Sequence, residues 1–498
     1  MTTTALPPRP LARIRRGLPS PTVLRTEVLA GLVVALALIP EAISFSIIAG
    51  VDPRVGLFAS FTMAVSIAVL GGRPAMVSAA TGAVALVIAP VVREHGLQYL
   101  LATVVPGGLI QVVLGLLRVP RLMRFVPRSV MVGFVNALAI LIFWAQVPHL
   151  VGVPWLVYPM VAAALAIMVF LPRLTTAVPA PLVAIVVLTV LTVVAHLAVP
   201  NVGDEGALPD SLPVLALPDV PFTLETLQII APYAVGMALV GLMESLMTAT
   251  LVDEVTDTRS SKTREAWGQG AANVITGFFG GMGGCAMIGQ TMINVRAGAR
   301  TRLSTFLAGV FLLVLVVGLG DVVAVIPMAA LAAVMVMVAV GTFDWHSVRP
   351  GTLRRMPRSE TAVMVTTVVV VVATHNLAIG VVVGVVVAAL LFARRVAHLV
   401  EVDGELSDDG AVKTYRVHGA LFFASSNDLV GQFDYPGDPS RVVVDLSDSH
   451  VWDASTVAAL DAVTTKYAAR GTSVDIVGLN DASAQMHERL AGHLTSAH

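Results

Sequence analysis

Long apolar runs recur along most of this chain and constrain its fold more than any other feature. A helix of about 20 apolar residues crosses the hydrocarbon core of a bilayer. Charged residues make up only 13% of the chain, about half the share of roughly 25% in soluble proteins. The sequence therefore predicts an α-helical membrane protein, with the lipid bilayer as its surroundings. The runs begin near Val28, Val55, Met76, Tyr99, Val130, Trp155, Pro181, Ile229, Trp267, Ile288, Ser304, Val322, Thr361 and Leu377.

The positions of arginine and lysine support about 14 spans. If the amino terminus is cytoplasmic, every second loop should be basic. The other loops hold almost only Arg54 and Arg93, each close to an acid. Both termini are therefore expected in the cytoplasm, on a protein of the cell membrane, and the acidic loop at 200–221 is expected outside. The basic loops hold Arg73; Arg118, Arg121, Arg124 and Arg128; Arg173; Arg259, Lys262 and Arg264; Arg296, Arg300 and Arg302; Arg349, Arg354, Arg355 and Arg358; and Arg394 and Arg395.

Seven spans followed by seven place the second set in the opposite orientation, which is a 7+7 inverted repeat. Local sequence agrees, because Pro40-Glu41 in the first run corresponds to Met243-Glu244 in the eighth. The predicted transmembrane transport domain covers residues 27–398, with a first repeat at 27–198 and a second at 222–398. The arginine-rich residues 1–26 lack the apolar core of a signal peptide and are expected to form a cytoplasmic arm.

The composition changes at the end of the last apolar run. Residues 401–498 are charged, and short β-prone runs such as 412–417, 441–445 and 474–477 alternate with helical patterns at 455–469 and 482–490. This alternation predicts a small cytoplasmic α/β domain.

Residues 277–291 contain six glycines inside an apolar region. Irregular backbone at membrane depth is tolerated where it is buried in protein or lines a wet cavity. The equivalent segment of the first repeat passes through Gly71-Gly72.

Two half-helices that start near the midplane would direct free N–H groups and positive dipole ends at one anion site. The alternative is that the small residues only allow close helix packing. The predicted substrate-binding residues are Ala80, Thr81, Gly82, Ala83, Gly289, Gln290 and Thr291.

Glu244 is an acid inside an apolar run, where an isolated charge costs several kcal/mol. It is therefore expected to be protonated or paired with a cation, and Thr248, one turn on, could share a bound Na⁺. The prediction is a coupling site for H⁺ or Na⁺; the alternative is a buried acid that hydrogen-bonds a helix. Glu41, at the equivalent place, is a second titrating group or a substrate contact. No other metal or cofactor is expected.

No catalytic or metal-binding spacing is present, so the chain is expected to be neither an enzyme nor a nucleic-acid-binding protein. Cys285 is the single cysteine, which excludes a disulfide framework. It is interpreted as a small packing residue rather than a nucleophile.

With these residues in view, the chain resembles the SulP family of anion transporters. The resemblance rests on residues 35–44 around Pro40-Glu41, on 49–57 and on 294–304. The tail resembles a STAS domain, with Val444-Asp445 before Ser447 and Trp452-Asp453 before Ser455.

The resemblance implies fourteen spans in a core-and-gate arrangement, an elevator-like motion, dimerisation, and sulfate, bicarbonate or a dicarboxylate as substrate. It maps the family's eighth-span acid onto Glu244 and its half-helix site onto Thr81 and residues 289–291. Two departures matter. Some animal members carry arginine where this chain has Gln290, which makes cation coupling more plausible here. Many members carry glutamine where this chain has Glu41.

The predicted function is symport of a small inorganic anion, of the sulfate or bicarbonate class, with H⁺ or Na⁺. One alternative is a passive channel or exchanger of the same fold; a nucleobase transporter shares the topology but lacks a STAS tail. An alternative of another class is a membrane-tethered signalling or scaffold protein that acts through the tail. Ser455, expected as an exposed helix cap, is a candidate regulatory site where phosphorylation could dock or release a cytoplasmic partner.

Overall fold

A computed structural model describes residues 20–121, 126–175, 179–397 and 400–493. The described chain forms two compact units, one ending at Gly384 and the other beginning at Val385. Residues 1–19 of the predicted arm, Arg124 of a predicted basic loop and residue 398 at the predicted domain boundary lie outside the described residues.

The first half of the membrane unit contains seven α-helices and one short strand, β1. Every apolar run predicted for this half corresponds to one helix. The helix of the third run starts at Gly82, because the strand and a turn occupy its first residues. The elements are α1 (Pro21–Ala49), α2 (Pro53–Leu70), β1 (Ser78–Ala79), α3 (Gly82–His95), α4 (Leu97–Leu116), α5 (Arg128–Gln146), α6 (Val157–Leu174) and α7 (Ala180–Val194).

The second half repeats this order with a second short strand, β2, and two extra short helices. The run predicted near Val322 begins with the short helix α12, and Pro327 caps the longer helix that follows. The elements are α8 (Leu224–Thr256), α9 (Lys262–Phe278), β2 (Cys285–Ala286), α10 (Ile288–Arg296), α11 (Leu303–Gly318), α12 (Gly320–Ala324), α13 (Met328–Thr342), α14 (Pro350–Arg355), α15 (Arg358–Thr374) and α16 (Leu377–Ala397), of which the residues from Val385 on belong to the other unit.

In the part of the chain that the structure describes, seven helices are long and apolar enough to cross a membrane. Three further apolar helices, α7, α11 and α13, are shorter. The chain is thus a multi-pass helical protein, and the number of 14 spans stays a prediction.

Two groups of helices build the membrane unit. In the first, α4 packs on α8 and α9, α1 packs on α2 and α11, and α3 packs on α1 and α8. In the second, α5 packs on α13 and α15, and α6 packs on α7 and α13. Close approach in the first group depends on glycine: a Cβ on Gly108 of α4 would lie 2.6 Å from the carbonyl oxygen of Gly270 on α9. Small residues allow such approach where lipid supplies no hydrophobic drive for helix association.

The two interrupted segments predicted by the repeat meet at the centre of this unit. β1 and β2 pair antiparallel, with Ala79 opposite Cys285. The N–H of Met287 extends the pairing by donating to the carbonyl of Val77 over 2.9 Å. α3 starts directly after one strand and α10 after the other, so both half-helices begin at the same crossing.

The second unit contains a four-stranded sheet with the order β3-β4-β5-β6. β3 pairs antiparallel with β4, and the other neighbours are parallel. Val417, Val444 and Leu460 are fully or almost fully buried in its core. The predicted small α/β domain is confirmed, with strands over the three runs predicted from sequence. The elements are β3 (Glu401–Leu406), β4 (Val412–Leu421), α17 (Ser426–Val430), β5 (Arg441–Val451), α18 (Ala454–Ala468), β6 (Ser473–Val477) and α19 (Asp481–Leu490).

Candidate functional site

A cavity of about 360 Å³ lies where the half-helices α3 and α10 begin. α1 and α8 complete this side, and the facing wall comes from α5 and α13. The facing wall is mostly apolar, with side chains such as Phe134, Leu138 and Val338. The lining residues Glu41, Thr81, Glu244 and Gln290 lie on α1, at the cap of α3, on α8 and on α10, whereas Thr342 comes from α13.

The amino-terminal end of α3 contributes free backbone donors to the cavity. Thr81 caps the helix, and its hydroxyl accepts the N–H of Val84 over 3.4 Å. The first N–H groups of an α-helix have no acceptor inside the helix. Those of Gly82 and Ala83 are such groups, and both residues line the cavity.

α10 contributes a second helix end to the same space. Its first residues, Ile288, Gly289 and Gln290, line the cavity and supply N–H groups without an intrahelical acceptor. A Cβ placed on Gly289 would meet no described atom within 4 Å, so the backbone there is open to the cavity. The cavity thus receives the positive ends of two helix dipoles.

The structure brings most of the predicted substrate residues together, with two exceptions. Ala80 and Thr291 do not line the cavity. The N–H of Ala80 donates to the hydroxyl of Ser60 over 3.3 Å. The hydroxyl of Thr291 accepts the N–H of Val77 over 3.0 Å. Thr291 therefore joins the two half-helix segments, whereas Ala80 contacts α2.

Two carboxyl groups face the cavity, Glu41 from α1 and Glu244 from α8. Gln290 of α10 lines the same cavity as Glu41. Among the described lining residues there is no Lys, Arg or His. The site therefore combines two acids with two helix amino termini and has no basic side chain.

Thr248 does not lie where the sequence suggested. It is fully buried, and its hydroxyl donates to the backbone carbonyl of Glu244 over 2.8 Å. A hydroxyl in a helix commonly bonds the carbonyl four residues earlier. Thr248 is absent from the described cavity lining, so its predicted role as a shared cation ligand has no geometric support.

Cys285 is the functional candidate that the sequence reading missed. Its thiol donates to Oε2 of Glu244 over 2.9 Å, and its sulfur lies 3.0 Å from the hydroxyl oxygen of Thr81. It is fully buried, as expected for a packing residue, but it also joins the acid to the cap of α3. Its position in the glycine-rich segment 277–291 was the only feature of the sequence that indicated such a role.

Ser455 in the second unit is exposed but is not the helix cap that was predicted. Asp453 is the cap, because its carboxylate accepts the N–H of Thr456 over 3.1 Å. Ser455 is the second residue of α18, so its side chain does not cap the helix. A phosphate there would lie at a helix amino terminus, which favours negative charge, so regulation at Ser455 stays a prediction.

The fold and this cavity define a multi-pass membrane transport protein. The sulfate permease family matches residues 24–159 and 155–367, and the STAS domain matches residues 405–493. The chain belongs to the sulfate permease family and carries a STAS domain at its carboxyl end. The family and the fold class predicted from sequence are confirmed, without the number of 14 spans.

Relatives with assigned names are transporters. The "Putative sulfate transporter YbaR" of Bacillus subtilis is 54% identical over 468 residues, which cover 94% of this chain and 97% of that protein. The "Bicarbonate transporter BicA" of Synechocystis sp. is 27% identical over 519 residues, covering 94% and 90%. The family is thus one of sulfate and bicarbonate transporters, in agreement with the expectation that the chain is not an enzyme.

Solved structures agree with the fold. The transmembrane domain of a cyanobacterium BicA superposes with a TM-score of 0.63 at 26% identity, over 73% of this chain and 97% of that one. SLC26A9 gives a TM-score of 0.79 at 15% identity, over 94% and 86%. The second match supports the fold alone.

Proposed function

We propose that this protein is a secondary active transporter that carries a small inorganic anion, of the sulfate or bicarbonate class, together with a proton. The observation that carries the proposal is the charge of the cavity. Two helix amino termini and two carboxyl groups face it, without a basic side chain among the described lining residues. The names of the relatives support the substrate class.

The balance of charge explains why an anion would need a cation. Each helix amino terminus is equivalent to roughly +0.5 of an elementary charge, so two supply about +1. Ionised Glu41 and Glu244 together supply −2. An anion is therefore repelled until a carboxyl group is neutralised. Since the neutralising cation removes this repulsion, each ligand raises the affinity of the other, typically by about 1–3 kcal/mol.

The contacts of Glu244 favour H⁺ over Na⁺ as that cation. Its nearest described partner is the thiol of Cys285, a hydrogen-bond donor rather than an oxygen ligand. Thr248 turns its hydroxyl to its own helix. A carboxyl group that gains a proton needs no such ligand.

An elevator-like motion belongs to the same proposal. The crossing of β1 and β2 joins both half-helices to the first helix group, together with Glu41 and Glu244. The facing wall belongs to the second group, through α5 and α13. Movement of the first group past this wall would carry the whole polar site with it.

The proposal also includes the orientation and the assembly of the protein. The arginine distribution supports cytoplasmic termini in the cell membrane. Dimerisation and a cytoplasmic partner of the STAS domain rest on the family resemblance.

The test is uptake of labelled sulfate and bicarbonate into proteoliposomes, with pH and Na⁺ gradients imposed separately. Wild-type protein should accumulate anion when the pH gradient alone is present. Glu244→Gln mimics the protonated acid, so it should bind anion and exchange it but not accumulate it. Glu254→Gln is a matched control, since Glu254 is exposed on the same helix and outside the cavity.

The alternatives give different results. Uptake that follows only the anion gradient would indicate a channel or exchanger, and accumulation driven by the Na⁺ gradient alone would identify Na⁺ as the coupling ion. Absence of uptake in every condition would favour a scaffold protein acting through the STAS domain. A Glu244→Gln protein that still accumulates sulfate would place the coupling proton elsewhere, with Glu41 the next candidate.

A further inference from the structure

Three side chains from separate elements form a chain of hydrogen bonds beside the cavity. Glu244 comes from α8, Cys285 from β2, and Thr81 from the cap of α3. The thiol of Cys285 donates to Glu244 over 2.9 Å. Between Cys285 and Thr81 the sulfur and oxygen are 3.0 Å apart, and either atom can donate. Cys285 is fully buried and Thr81 is 2% exposed, so bulk water does not replace either contact.

We infer that Cys285 is a positioning residue that links the protonation of Glu244 to the direction in which the Thr81 hydroxyl donates. The inference rests on the proposed function, in which Glu244 takes up the coupling proton. When Glu244 is ionised, the thiol donates to its carboxylate and the Thr81 hydroxyl donates to the sulfur. The Thr81 hydrogen then points away from the cavity.

Protonation of Glu244 reverses this chain. The carboxyl O–H donates to the sulfur of Cys285, the S–H turns to the oxygen of Thr81, and the Thr81 O–H turns into the cavity. One proton is added, from solution to Glu244. The S–H and O–H bonds rotate and none of them breaks. A thiol is both a weak donor and a weak acceptor, so it suits a position where the direction must change.

The reversal delivers a donor to the place where the anion is expected. Thr81 lines the cavity beside the free N–H groups of Gly82 and Ala83. Its oxygen already accepts the N–H of Val84 and has a second lone pair for the thiol. A hydroxyl that donates to an anion forms a charge-assisted hydrogen bond, which is stronger than a neutral one. The anion gains this bond only after Glu244 is protonated.

Few other charged groups face Glu244. Glu41 does so from α1, across the cavity. On α8 itself, Glu225, Asp253 and Glu254 lie in the terminal turns, and Tyr233 lies three turns before Glu244. The elements packed on α8 are α3, α4, α9, α10 and β2. Apart from Cys285, their described titratable residues lie in terminal turns: Arg93, Glu94 and His95 of α3, Tyr99 of α4, Lys262, Arg264 and Glu265 of α9, and Arg296 of α10.

The experiment measures sulfate affinity of the purified full-length protein at a neutral and an acidic pH, because sulfate keeps its charge between them. Wild-type affinity should rise on acidification, within the range of about 5–150-fold that is typical of coupled sites. Cys285→Ala should lose most of this rise, because one hydrogen bond to a charged group corresponds to about tenfold or more in affinity. Cys285→Ser keeps a donor and an acceptor and should retain the rise.

Two further variants separate the relay from packing. Thr81→Val should reduce the pH-linked rise as Cys285→Ala does, and the double variant should be no worse than either single one, since both break the same chain. Ser60→Ala is the matched control. Ser60 is buried and its hydroxyl contacts Ala80 next to the cap, but it belongs to neither end of the relay, so the rise should be unchanged.

Three results would overturn the inference. The first is a pH-linked rise in sulfate affinity in Cys285→Ala as large as in the wild type, and the second is a rise in Cys285→Ser as small as in Cys285→Ala. The third is a loss of the rise in the double variant that equals the sum of the two single losses. If Cys285→Ala fails to fold, Thr81→Val must lose the rise and Cys285→Ser must keep it, and the opposite result for either variant overturns the inference. Wild-type sulfate affinity that does not respond to pH would refute the proposed proton coupling itself, and the inference with it. A normal wild-type response that survives Cys285→Ala refutes the relay alone.

Discussion

Replacing Gly284 by alanine would place a methyl group against the backbone of the opposite half-helix segment. A Cβ at this position would meet the carbonyl oxygen of Ala79, lie 2.6 Å from its carbonyl carbon and 3.1 Å from the amide nitrogen of Ala80. These are backbone atoms of Ala79 in β1 and of Ala80 directly after it, which cannot rotate away as a flexible side chain can. The crossing of β1 and β2 would have to open.

The contacts of Gly284 allow the expected loss in the free energy of unfolding to be worked out. Overpacking of a well-packed site typically costs about 1–3 kcal/mol. Gly284 also exchanges two hydrogen bonds with Asn273, its N–H donating over 2.8 Å and its carbonyl accepting over 3.0 Å. Each is worth a net of about 0.5–1.5 kcal/mol. Loss of the crossing should therefore destabilise the protein by about 2–6 kcal/mol.

Gly289→Ala is the matched control, since it is the same substitution five residues further along. A Cβ there meets no described atom within 4 Å, so the change should be neutral or stabilise by about 0.4–1 kcal/mol through the unfolded state. Its methyl group would nevertheless lie beside the free N–H groups of α10, and sulfate binding should weaken.

Thermal unfolding of both variants in detergent, with sulfate binding measured on the same preparations, tests the pair. The expected pattern is a clearly lower melting temperature for Gly284→Ala and a wild-type melting temperature with weaker binding for Gly289→Ala. If Gly284→Ala melts at or above the temperature of Gly289→Ala, the close crossing of the half-helices is refuted.

Three further predictions concern the STAS domain and the topology. The hydroxyl and N–H of Ser447 lower the pKa of Asp445 in the folded domain. This stabilises the domain above the pKa of about 3.9 that Asp has in an unfolded chain, and the stabilisation is lost as the pH falls through the pKa of the folded state. Ser447→Ala should raise the pKa of Asp445 in an NMR titration and reduce the loss of stability in acid. Tyr467→Phe removes a hydroxyl that donates to Asp438 and should cost about 1.5–3 kcal/mol in urea unfolding. Asp210→Cys in a cysteine-free background should react with an impermeant thiol reagent from outside; reaction only from the cytoplasmic side would refute the 14-span topology.

The sequence predicted the membrane helices well because the length of an apolar run is a local property. It placed one helix early, where the run near Val322 begins with a short helix and Pro327 separates it from α13. Three strands of the second unit were also predicted, since β-prone runs and helical periods alternate there, but β3 at the edge of the sheet was not.

The inverted repeat predicted which parts of the site would meet, because it relates Glu41 to Glu244 and the start of α3 to that of α10. It could not predict where individual side chains point. Thr248 satisfies its hydroxyl within its own helix, and helical periodicity does not show this. The contact of Cys285 with Thr81 depends on the register of β1 and β2, which pairs residues about 200 positions apart.

The two acids of the cavity occupy equivalent places in the repeat, yet their contacts differ in a way that predicts unequal roles. Glu41 lines the cavity beside Gln290, and among the described hydrogen bonds none joins Glu41 to the cap of α3. Glu244 is bonded through Cys285 to Thr81. A change of charge at Glu41 therefore affects the bound anion only by direct electrostatic interaction. A change of charge at Glu244 also reorients the hydroxyl donor of Thr81.

We accordingly expect Glu41→Gln to bind sulfate more tightly at neutral pH, because one negative charge is gone, and to keep a rise in affinity on acidification. Glu244→Gln should also bind more tightly at neutral pH but should lose most of that rise. Sulfate affinity of the two variants at matched neutral and acidic pH is the measurement. Loss of the rise in Glu41→Gln with its retention in Glu244→Gln would assign the proton to Glu41 and leave the thiol contact of Glu244 as a structural one.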